Sequence, residues 1–137
     1  MLPERDSNLA EALAEADEEL LMPDFWLNEA CNICWLQVHK GKWTSGEARE
    51  ALALLRTQVS PTPTGGLDLH DVALDIGLAI NHSTYETLYV AFAIAMGARG
   101  LVAADSAFVR DMQRHPDPAL ASLLVPLGVW GQERGLT

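Results

Sequence analysis

The sequence predicts an α/β protein: a three-layer α/β/α sandwich on a parallel sheet. Three observations carry that expectation. Helical patterns alternate with short apolar runs along the whole chain. Residues 83–105 read as a capped helix, a Gly turn, a short buried strand and an acid at the strand's carboxyl end. Hydrophobic residues make up 49% and charged residues 20% of the 137, the balance of a chain that packs a core.

Taken in order, Asp6 or Ser7 can cap a first helix through about Ala16, and Glu19-Leu20-Leu21-Met22 reads as a strand ended by Pro23. Asp24 is placed to cap the next helix, Phe25 to Lys40, closed by Gly41. Thr44 and Glu47 have capping-box spacing, followed by an apolar stripe at Ala48, Ala51, Leu52 and Leu55. Ser60-Pro61-Thr62-Pro63-Thr64-Gly65-Gly66 breaks regular structure, with room for an edge strand near Gln58-Val59. An amphipathic helix spans 67–80 and turns at Asn81-His82. Ser83 and Glu86 form a second capping box. Gly97 suits a left-handed position, and Leu101-Val102-Ala103-Ala104 forms a strand that ends at Asp105. Residues 106–115 are helical and Pro116-Asp117-Pro118 is a loop. Residues 123–129 offer the last strand. One domain over 1–130 with a tail over 131–137 is expected, without internal repeats.

No run of residues has the length of a membrane-spanning helix, and the acidic start is unlike a secretory signal, so a soluble cytoplasmic protein is expected. A net charge of −10 weighs against a nucleic-acid binder. A metal-binding acidic cluster would contribute to that charge, and an acidic protein can pair with a basic partner segment. Lys40, Lys42 and Arg49, and again Arg99, Arg110 and Arg114, either touch phosphates or serve solubility. Cys31 and Cys34 lie mid-helix without a second ligand pair. They read as reduced core thiols rather than a redox or zinc site.

Three acids stand out, each with an ordinary reading beside the functional one. Glu86 can serve as the N3 member of a capping box, and Asp105 can cap the helix that follows it. Glu29 borders Phe25, Trp26, Ile33 and Leu36 at the edge of a polar strip of Asn28, Asn32 and His39, which makes it either partly solvated or functional. Asp75 and Asp111 read as solvent-facing helix residues. His70, His82 and His115 have no spacing of metal ligands.

The pattern resembles the PIN-domain nucleases, in particular the VapC-type toxins of bacterial toxin–antitoxin pairs. Ser83, Glu86 and Tyr89 match the family's helix start Thr/Ser-x-x-Asp-x-x-Tyr; Ala103 and Asp105 match its strand end Thr-x-Asp; Glu29, after Met22-Pro23-Asp24, matches its upstream helix acid. Glu86 replaces the usual Asp, and Ala103 a frequent hydroxyl. The family's opening strand, which holds its first catalytic Asp in the middle of the sheet, has no counterpart, because Met1 falls where the following helix ends. A start assigned too far downstream, or a truncated chain, would account for this. Otherwise the gap is expected to be closed by rearranged pairing or by a second copy.

The resemblance implies a metal-dependent endoribonuclease, a hydrolase in which Glu29, Glu86 and Asp105 hold Mg²⁺ or Mn²⁺. It also implies an RNA substrate, an antitoxin protein that silences the toxin, a homodimer, and no membrane association. Two rival readings remain. One is a catalytically inactive PIN-like binding protein. The other is an unrelated α/β interaction domain in which all three acids are caps.

Overall fold

The computed structural model describes residues 21–103 and 105–133. The first expected helix and the residues after Glu133 lie outside this range. Among the described residues the protein is mixed α/β, with seven helices and a two-stranded parallel sheet. These residues show the expected α/β class, and the parallel pairing within it, at the scale of two strands. They divide into two compact units, 21–66 and 67–133.

In residues 21–66, helices α1 (Trp26–His39) and α2 (Ser45–Gln58) pack against each other. Ala30, Cys34 and Gln37 form the buried stripe of α1, at the spacing of one helix face. The capping box before α2 is present: Thr44 Oγ1 accepts from Glu47 N–H at 3.1 Å, and Glu47 Oε1 accepts from Thr44 N–H at 3.0 Å. Such a cap stabilises by about 1 kcal/mol. The apolar stripe of α2 is half-buried.

Three expectations change in this unit. Asp24 does not cap α1. Its carboxylate accepts from the Thr64 hydroxyl at 2.6 Å and the Thr64 N–H at 3.1 Å, which holds its pKa below the usual carboxylate value. Strand pairing falls at Pro23 and Thr62, as one parallel bridge, rather than near Gln58-Val59. Cys31 is exposed, so of the two thiols only Cys34 belongs to a core.

In residues 67–133, α3 (His70–Ile80) and α4 (Thr84–Ala95) pack closely. Asn81 ends α3 with φ 53°, a left-handed conformation that Asn tolerates better than most residues. Gly77 permits the approach of the two helices. A Cβ there would lie 2.9 Å from the His82 carbonyl oxygen and 3.1 Å from Thr84 Cγ2. The fully buried Thr87 hydroxyl donates to the Ala73 carbonyl at 2.7 Å, so the packed surface leaves that polar group satisfied. Gly97, with φ 65°, closes the turn after α4.

Strand β1 (Leu101–Ala103) pairs in parallel with β2 (Leu124–Pro126), Leu101 opposite Leu124. A parallel pair needs a crossover. Here α5 (Ser106–Gln113) and α6 (Pro118–Ala121) lie between the two strands in sequence. The core of this unit is Ile76, Ile80, Val90, Phe108, Val109, Met112 and Leu124. The last strand is shorter than expected: α7 begins at Leu127 and runs through Gly131 to Glu133. Pro126 lacks the N–H that would continue the ladder, which accounts for the early end of β2.

Candidate functional site

Asp105 follows the carboxyl end of β1 and is the N-cap of α5. Its Oδ1 accepts from both Ala107 N–H (2.9 Å) and Phe108 N–H (3.1 Å). The capping role open to Asp105 from sequence is therefore filled. Among the described residues its Oδ2 accepts no hydrogen bond, and the side chain is exposed. The carboxylate thus carries an oriented, unused oxygen at the position where ligands gather in parallel α/β sheets.

Glu86 takes a different role from the one expected. Ser83 still caps α4, accepting from Tyr85 N–H at 3.3 Å, but no capping box forms. Glu86 turns instead toward His82, four residues earlier and just before the Ser83 cap, with Oε2 at 3.1 Å from Nε2. That approach suits charge attraction but is not aligned as a hydrogen bond. On its other side, His82 Nδ1 lies 2.8 Å from Asp111 Oδ2, and Asp111 Oδ1 accepts from Arg114 at 2.5 Å. The imidazole also stacks on Phe108, with ring centroids 5.0 Å apart.

The result is a chain of alternating charge, Glu86–His82–Asp111–Arg114, that ties the start of α4 to α5. Burial works against a charged His82, whose side chain is 14% exposed. The flanking Asp111 and Glu86 outweigh it and raise the imidazole pKa above its ordinary 6.5. The same contact with His82 holds the Asp111 carboxyl below the usual carboxylate value. Asp111 is therefore no ordinary solvent-facing residue, and His82 is a central one. The four-residue spacing of His82 and Glu86 across the start of α4 is a readable signal. The contact of His82 with Asp111, 29 residues away, was not.

Glu29 lies in the first turn of α1, exposed and without an ion pair among the described residues. It belongs to the 21–66 unit, whereas Glu86 and Asp105 share the 67–133 unit. The three acids offer the hard oxygen donors that Mg²⁺ or Mn²⁺ takes. Among the described residues, however, no three His, Cys, Asp or Glu side chains are grouped to hold a metal ion. The donor chemistry fits a hard cation, but these residues do not make a complete ligand set.

No known protein family, curated protein or solved structure matches the chain. No helix among the described residues is long and apolar enough to cross a membrane.

Proposed function

We propose that the chain is a PIN-type, VapC-like endoribonuclease that hydrolyses RNA phosphodiesters with Mg²⁺ or Mn²⁺, the toxin of a toxin–antitoxin pair. The observation that supports this most is Asp105, which presents a carboxylate oxygen without a hydrogen bond among the described residues just beyond the carboxyl end of a parallel strand. Its order in the chain after Glu29 and Glu86 is that of the PIN motif. The finer fold of this reading is the three-layer PIN sandwich, in a cytoplasmic protein that forms a homodimer and is silenced by an antitoxin.

In this reading Glu29, Glu86 and Asp105 are the acids that the resemblance assigns to the cation. A bound ion of this kind supplies an activated water and neutralises charge on the departing oxygen. The protein's own contribution is positional. The first turn of α5 fixes Asp105, and His82, braced by Asp111, sets where the Glu86 carboxylate rests.

A second reading is a PIN-like binding protein without catalysis. It is favoured by the contacts that already engage Glu86 and one oxygen of Asp105.

Cleavage of a mixed RNA pool with Mn²⁺ separates the two readings. The 137-residue chain is compared with its Asp105→Asn variant and with a version extended upstream to the previous in-frame start. Cleavage by either wild-type form that vanishes on Asp105→Asn supports the nuclease. If neither form cleaves RNA, the binding-protein reading stands.

A further inference from the structure

The carboxyl ends of β1 and β2 open on a cleft of about 190 Å³ to which the acid residues give no role. One wall is α5, which contributes Ser106, Arg110 and Gln113. Their spacing, i, i+4 and i+7, sets all three on one face of that helix. The other wall is apolar: Ala103 and Pro126 at the strand ends, then Leu127 at the start of α7.

Arg110 is the informative member. Among the described residues it makes no ion pair, although the chain holds 19 acids against 9 Lys and Arg. Its neighbour Asp111 makes its close contacts with His82 and Arg114, and the Arg110 charge adds only a weaker, longer-range attraction to that carboxylate. The Arg110 guanidinium, beside a hydroxyl and a carboxamide, gives this wall one fixed positive charge and neutral hydrogen-bond donors. Its planar fork matches phosphate oxygens, and Ser106 and Gln113 add O–H and N–H donors. The cleft is smaller than the roughly 300 Å³ at which drug-sized pockets begin, a scale that suits one phosphate with its sugar against the apolar wall.

We infer that this cleft binds a phosphodiester of an RNA strand, with Arg110 as the anion-binding residue and Ser106 and Gln113 as supporting donors. The inference rests on the ribonuclease reading and names where the substrate backbone is gripped. Arg110 is a binding residue and takes no part in bond breaking.

The test uses the full chain in EDTA, so that binding is measured apart from cleavage. A fluorescein-labelled, uncleavable 2′-O-methyl hexaribonucleotide is titrated and followed by anisotropy. Arg110→Gln is expected to weaken binding by at least roughly 5-fold and to lower the salt-dependence slope by about 0.7, one phosphate contact on a single strand. Gln113→Ala should weaken it less. Arg99→Gln removes the same charge just before the amino end of β1 and serves as the control. Equal losses in the Arg110 and Arg99 variants, or no loss in either, overturn the assignment. Displacement of the oligomer by equimolar adenosine 5′-monophosphate overturns it too, since the cleft would then read a terminal monoester. Failure of the nuclease reading registers separately, as absent Mn²⁺-dependent cleavage alongside Arg110-dependent binding.

Discussion

Replacing Gly77 by Ala sets two local effects of opposite sign against each other. In a helix interior, Ala is favoured over Gly by about 0.5–1 kcal/mol, so propensity alone predicts a more stable protein. The added Cβ, however, would sit 2.9 Å from the His82 carbonyl oxygen and 3.1 Å from Thr84 Cγ2. The closer of these is a backbone atom, in a turn held by the 3.0 Å bond from His82 N–H to the Gly77 carbonyl, so it cannot rotate away. Overpacking of this kind costs about 1–3 kcal/mol, which exceeds the propensity gain. We expect Gly77→Ala to be net destabilising by about 1 kcal/mol, a fall in Tm of about 4 °C for a chain of this size. Thermal and urea unfolding followed by circular dichroism measure it. A Tm equal to or above that of the wild type would refute the argument, since α3 and the turn would then have room that the structure denies them.

Two further predictions follow from the same region. Because the His82 pKa is raised on folding, His82 contributes stability that is fully present below about 6.5 and is lost as pH rises through the higher folded value. Urea midpoints should therefore fall between mildly acidic and mildly alkaline pH, and His82→Gln should flatten that part of the profile; an unchanged slope in the variant would assign the dependence elsewhere. Asp105→Ala should cost about 1 kcal/mol by removing the cap of α5, whereas Asp105→Asn should cost only a few tenths, because Asn caps equally well. Matched chemical denaturation of the two variants checks this, and equal losses would mean that the carboxylate charge, rather than the cap, stabilises the helix.

Features set by neighbouring residues were legible in the sequence. The Thr44–Glu47 box, the turn at Asn81, the left-handed Gly97 and the capping option for Asp105 all depend on contacts within a few residues, where spacing determines geometry. What could not be read depends on distant partners. Asp24 has the look of a helix cap but bonds Thr64, 40 residues on, and Glu86 leaves its expected box for an imidazole whose other face is held from α5. Periodicity marks the apolar residues of α1 but not which side is covered, so it does not separate exposed Cys31 from buried Cys34. The apolar run that ends in Leu-Gly-Val fits strand or helix by pattern alone, until Pro126 fixes where the ladder stops.

The single-oxygen cap of α5 has a consequence in terms of linkage. Both N–H bonds fall on Oδ1 of Asp105, so a cation or donor that takes Oδ2 need not displace either of them. Occupancy and capping are then geometrically compatible, although the two oxygens share one delocalised charge. The two bonds restrain the carboxylate in advance, so any group binding at Oδ2 would meet less of that ordering cost.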